Sequence, residues 1–192
     1  MTTLAMLWLP ILLSAVFVFI ASSVIHMGLQ LHKADYKRLP NEEQALDALR
    51  KAGVSAGQYI FPCPASGQMK DCGTPEMVAK YEQGPVGMVV VRPKGMPGIG
   101  KSLGQWFVFC IVVSVFVAYV TGLAAKPGEP GMLVFRVSTA VAMLGHSFTS
   151  VCDSIWKGVS WSTTARFVFD GIVYALVCGA TFAWLWPAAA AQ

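Results

Sequence analysis

Charge in this chain is confined to one block. Ten of its fourteen lysines and arginines, and seven of its ten acids, fall between Lys33 and Lys101. The flanks are long and almost free of charge. A soluble domain has about a quarter of its residues charged, whereas here the share is 12%, against 55% hydrophobic. This distribution predicts an all-α integral membrane protein: a four-helix transmembrane bundle with a small α+β cytoplasmic insertion between spans 1 and 2. The net charge of +4 is modest and argues for no nucleic-acid partner; its use is orientation in the bilayer.

Residues 1–31 hold the first span, in which Trp8 to Leu29 supplies the about 20 residues that a bilayer requires. No basic residue precedes it and no A-x-A-like site closes it, so it reads as a retained helix and not as a signal peptide. Pro10 sits in the first turn, where a missing N–H is tolerated. Lys33, Lys37 and Arg38 follow at once, and Arg92, Lys94 and Lys101 precede the next span. The positive-inside rule then places residues 32–102 in the cytoplasm and the N-terminus outside. Residues 103–187 hold three more spans, expected at Leu103–Leu123, Met132–Cys152 and Thr163–Trp186. The turn at Lys126 falls outside, the turn from Asp153 to Ser162 inside, and the tail 188–192 outside. Trp156, Trp161, Trp184 and Trp186 stand at interface depth. The spans carry no internal repeat, so an inverted-repeat transporter has no support.

The insertion contains its own element signals. Asn41-x-x-Gln44 resembles a capping box ahead of a short helix that Gly53 ends. Gln58 to Phe61 is a strand candidate stopped by Pro62. Thr74-Pro75-Glu76 combines an N-cap, a proline at the first helical position and an acid in the first turn, with Gly84-Pro85 beyond the helix. Val86 to Arg92 is the clearest strand.

Ionisable groups inside the spans are the candidates for chemistry, because they cost roughly 2.5–3.5 kcal/mol each at a helix centre. Arg136, Thr139, Met143, His146, Ser150 and Asp153 recur at steps of three and four, one face of a continuous helix. Arg166, Asp170, Tyr174 and Cys178 do the same on the last span. The resulting polar seam is Arg136, His146, Arg166, Asp170 and Tyr174. His146 and Asp170 come out at similar depth, ~9 and ~10 Å from the inner ends of their spans, and can share a hydrogen bond. His26 and Cys110 reach comparable depth, so His26, His146, Asp170 and Cys110 form a candidate ligand set. It would suit a metal of undetermined identity or, through its histidines, a haem. The plainer reading is that these groups join helices, with Arg166 neutralising Asp170 one turn away and Arg136 snorkelling outward. On that reading no cofactor is predicted. No Ser/His/Asp order, paired carboxylates or H-E-x-x-H is present, so no catalytic residue is assigned and an enzyme is disfavoured.

Gly95-Met96-Pro97-Gly98-Ile99-Gly100-Lys101-Ser102 spells a phosphate-binding loop between a strand and a helix. That helix is a membrane span, however, and no run of parallel strands or second magnesium-holding motif accompanies it. No nucleotide is therefore predicted despite the match, and Lys101 reads as an interface lysine. Cys63 and Cys72 are too far apart for a zinc knuckle, leaving a labile disulfide or weak metal site as alternatives and their redox state open.

Leu39-Pro40-Asn41-Glu42-Glu43, Gly57-Gln58-Tyr59, Gly84-Pro85-Val86, Gly104-Gln105-Trp106-Phe107, Trp161-Ser162-Thr163, Asp170-Gly171, Tyr174 and Trp184-Leu185-Trp186-Pro187 resemble a family of uncharacterised bacterial inner-membrane proteins with four predicted spans. The resemblance covers most of the chain. It implies a bacterial inner-membrane location and nothing catalytic. The role expected is a non-enzymatic accessory or scaffolding subunit of a larger bacterial membrane complex. Such a subunit would contact the lipid bilayer and either a membrane-protein partner or itself. The alternative is a small proton-coupled or redox-linked membrane protein using intramembrane His146 and Asp170.

Overall fold

The computed structural model describes residues 2–189. Of the tail expected at 188–192, residues 190–192 lie outside the described residues. The chain is mostly helical, 66%, with four helices long and apolar enough to span a membrane and a small two-stranded sheet. It divides into two compact units. One holds the chain up to Tyr36, Gly98–Ser154 and the described residues from Val159 on; the other holds Lys37–Pro97 and Ile155–Gly158.

The first unit is built from α1 (Trp8–Ser23), α4 (Ile99–Ala124), α5 (Gly131–His146) and α7 (Trp161–Trp184). A 3-10 turn, Leu4–Leu7, precedes α1, and a π-helical turn, Val24–Leu29, follows it, so the first span runs Leu4–Leu29. Helix α1 packs on α4, α4 on α5, α5 on α7 and α7 back on α1, which closes a ring of four. Its centre is filled by small and branched side chains (Ala15, Val18, Cys110, Val117, Cys178 and Phe182), each fully buried. Outward faces stay apolar: Val108, Val112, Phe116, Tyr119 and Leu123 recur along α4 and are all exposed.

Helices α5 and α7 approach most closely where α7 has glycine. A Cβ at Gly171 would stand 2.7 Å from the His146 carbonyl oxygen and closer still to Ser147 Oγ. One at Gly179 would meet the Thr139 side chain and stand 3.2 Å from the Phe135 carbonyl oxygen. Small residues at these positions let two backbones meet, the usual device of helices packed in lipid. Ser160 caps α7 by accepting a 3.2 Å bond from the Thr163 N–H.

The continuous third helix expected from Met132 to Cys152 is interrupted. Helix α5 ends at His146, and α6 (Thr149–Lys157) begins after a break at Ser147-Phe148. The break falls where Gly171 of α7 presses on the His146–Ser147 backbone. Ser150 and Asp153 therefore belong to a separate helix, although α5 and α6 together make up the third candidate span, Gly131–Lys157.

The second unit contains α2 (Glu42–Lys51), β1 (Gly57–Phe61), α3 (Pro75–Gln83) and β2 (Gly87–Val91). The strands pair antiparallel with Gly57 opposite Val91 and Phe61 opposite Gly87. Thr74 caps α3 through a 3.4 Å bond from the Met77 N–H, as its sequence signature predicts. The capping box at Asn41 is not formed: Asn41 takes a left-handed conformation, φ 50°, and its side chain caps nothing. The sheet that should precede Gly95–Ser102 is this antiparallel pair, whereas a nucleotide-binding loop leaves a strand of a parallel sheet.

Candidate functional site

The site grows out of the way span 1 ends. Its last turn widens into a π-helix at Val24–Leu29, a local form that recurs at functional positions. Gln30 then takes φ 51°, and two tight turns follow, Gln30 to Lys33 and His32 to Asp35. This fold-back returns His32 and Asp35 to the N-terminal half of α7. Neither sits in an apolar run.

His32 bridges two carboxylates. Its Nδ1 lies 2.6 Å from Asp35 Oδ2 and its Nε2 lies 2.7 Å from Asp170 Oδ2. His26 Nε2 approaches the same Asp170 oxygen to 3.5 Å. The two imidazoles stack, centroids 4.5 Å apart, and the Phe167 ring lies against His32 at 4.6 Å. Asp35 is anchored from α7: Thr163 Oγ1 donates to its Oδ1 at 3.2 Å, and the Arg166 guanidinium bonds the same oxygen. The Asp35 side chain is completely shielded and that of Asp170 is 3% exposed, while His26 is 42% exposed and opens the cluster on one side.

Hydrogen-bond inventory sets the charge of this cluster. A neutral imidazole has one donor and one acceptor, and an ionised carboxylate only accepts. With both His32 nitrogens against carboxylate oxygens, only an imidazolium could donate to Asp35 and Asp170 at once. With Arg166 the formal charges of such a set would cancel, as buried charge requires. Burial pushes the Asp35 carboxyl up, but hydrogen bonds from His32 and Thr163 and the Arg166 charge outweigh it and hold the group below its ordinary range. One Asp170 oxygen, Oδ1, is buried with no hydrogen-bond partner among the described residues. A cavity of about 410 Å³, lined by Ser150, Asp153, Ser160, Thr163 and Thr164, borders Asp35.

The seam expected from sequence is rearranged. Asp170 meets His32 and His26, and His146 is not its partner. His146 sits instead among Trp106, Phe109 and Tyr174, ring centroids 5.7–6.0 Å away, with Nδ1 buried and unpartnered among the described residues. Arg166 neutralises Asp35, 131 residues away in sequence, and not Asp170 one turn along its own helix. Tyr174 is buried with its hydroxyl unpartnered among the described residues. Cys110 is fully buried in the bundle core, apart from the cluster, and Arg136 is exposed on α5. Three side chains, His26, His32 and Asp170, have ligand atoms all within 4.8 Å of one another. Of the expected ligand set only His26 and Asp170 belong to it; His146 and Cys110 do not.

All five cysteines are free. The Cys72 side chain beside Tyr81 pushes that phenol up. In sequence, His32 reads only as an extra ligand beside Cys63 and Cys72, and neither His32 nor Asp35 joins the polar seam, because both follow the first apolar run. The one available signal is the spacing of Asp35 three residues after His32, close behind a span that ends in His26. No protein-family model, curated protein or solved structure matches this chain.

Proposed function

We propose that the chain is a multi-pass protein of the bacterial inner membrane that serves as a non-enzymatic accessory subunit. Its termini lie outside and residues 32–102 lie in the cytoplasm. The observation that carries this reading is where the polar side chains of the bundle are spent. Ser14 bonds Ser114 at 2.9 Å, Trp106 Nε1 bonds Ser22 at 2.9 Å and Ser154 bonds Thr164 at 2.5 Å. Each joins one helix to another, and the outward faces remain apolar, suited to lipid or to another membrane helix. In-membrane crosslinking followed by mild-detergent purification tests the reading. The expected product is a defined complex, with a membrane partner or with further copies of the chain. Recovery of the lone chain under both treatments would overturn it.

A redox-linked protein is the second reading, favoured by one observation: the convergence of His26, His32 and Asp170. His32 takes the place that His146 holds in the sequence expectation.

A further inference from the structure

We propose that His26, His32 and Asp170 bind a divalent first-row transition-metal ion, with Asp35 as a positioning residue. The inference goes beyond the accessory role and does not depend on it.

Three observations converge. The first is the donor set. Two imidazole nitrogens and one carboxylate oxygen select zinc-like or iron-like ions, not calcium or magnesium, which prefer oxygen alone. The donors also face one another across a short span, Asp170 Oδ2 standing 2.7 Å from His32 Nε2 and 3.5 Å from His26 Nε2. Ligands bound at about 2.0–2.1 Å in a tetrahedron stand ~3.3 Å apart. His26 and Asp170 already have that separation, and the His32–Asp170 edge needs to open by ~0.6 Å.

The second observation is the support behind His32. A metal-bound histidine commonly donates its other N–H to a carboxylate, which fixes the tautomer and the ring. Here Asp35 accepts from His32 Nδ1 at 2.6 Å, leaving Nε2 aimed at the site. Asp35 is itself fixed by Arg166 and Thr163. A histidine that only joined helices would have no need of so rigid a backing. The third is Asp170 Oδ1, buried and unpartnered among the described residues, which gives the carboxylate a second oxygen to offer.

The ion takes the place of the proton between His32 Nε2 and Asp170 Oδ2, and that proton leaves to solvent. His26 is the exposed ligand, so a fourth position opens to water on its side, as in sites where metal is exchanged or reacts. A haem held between the two histidines does not fit: the imidazoles stack 4.5 Å apart and address the same oxygen, with no room for a macrocycle between them.

The test uses full-length protein in mild detergent, without a polyhistidine tag, stripped by chelator and titrated with Zn²⁺. Co²⁺ is titrated in parallel and followed by its visible absorption. One ion per chain is expected. His26→Ala removes the exposed ligand while leaving Asp35–His32–Asp170 in place, and should weaken binding at least about tenfold. Asp35→Asn should weaken it about 10- to 100-fold and shift the Co²⁺ spectrum without changing the stoichiometry. Circular dichroism of each variant separates loss of ligand from loss of fold. Absence of saturable binding in the wild type would overturn the proposal. So would binding undiminished in folded His26→Ala, or binding that vanishes in the Cys63→Ser/Cys72→Ser double variant. None of these outcomes bears on the crosslinking test of the accessory role.

Discussion

Two histidines of this chain look alike on paper and do different work. His146 lies within an apolar run, yet it rests on aromatic rings and its Nδ1 has no partner among the described residues. His146→Phe removes that unpartnered nitrogen and keeps a flat ring, so it should change stability by less than about 1.5 kcal/mol. His32→Phe strips hydrogen bonds from two shielded carboxylates and leaves Asp170 with only the longer His26 contact. Removing one partner of a buried charged set costs roughly 3–5 kcal/mol. Thermal unfolding of both variants in one detergent should therefore rank His32→Phe far below His146→Phe; equal midpoints would refute the assignment of roles. Helical spacing made Asp170 legible as a buried group, because an acid deep in an apolar run has to find a partner. The partner was not legible. His32 and Asp35 reach it only through the left-handed Gln30 and the turns after it, which no apolar periodicity reports.

At the scale of elements, the four long helices follow from the length of their apolar runs. The strands follow from β-branched residues between glycines and prolines, and α3 follows from Thr74-Pro75. The break between α5 and α6 carries only a weak signal, Gly145 in the last turn of α5, since Ser147-Phe148-Thr149 contains neither glycine nor proline. It coincides with a feature of another helix, the close approach of Gly171 to His146 and Ser147. Gly171→Ala should then act as overpacking and cost about 1–3 kcal/mol. Gly104→Ala on α4, where an added Cβ meets nothing within 4 Å, should be neutral or stabilising by about 0.5–1 kcal/mol through the better helix former. Melting curves of the pair check both, and a Gly171→Ala protein as stable as wild type would refute so close an approach. The unformed capping box at Asn41 teaches the same limit: the residue type was right, and a left-handed backbone turned its side chain away.

For the whole molecule, the proposed orientation rests on the same charge block that leaves four helices long and apolar enough to cross a membrane. Eleven of the fourteen basic residues fall in segments assigned to the cytoplasm, with Arg166 near the inner end of the fourth span and Lys126 and Arg136 toward the other face. Positive charge in short flanking segments sets orientation more strongly than any feature of the folded bundle. The cysteines make the direction measurable without inserting tags. Cys110 and Cys178 are buried among the helices and should resist labelling, whereas Cys63 and Cys152 are exposed and Cys72 is partly so. The proposed orientation puts Cys63 and Cys72 on the cytoplasmic side and Cys152 at the inner end of the third span. A membrane-impermeant maleimide should therefore leave the chain unlabelled in intact spheroplasts and label it in inverted vesicles. The signal should drop in Cys63→Ser and again on adding Cys72→Ser. Labelling of Cys63 in spheroplasts would reverse the orientation, place the His26–His32–Asp170 cluster at the outer face, and draw its proposed metal from outside the cell.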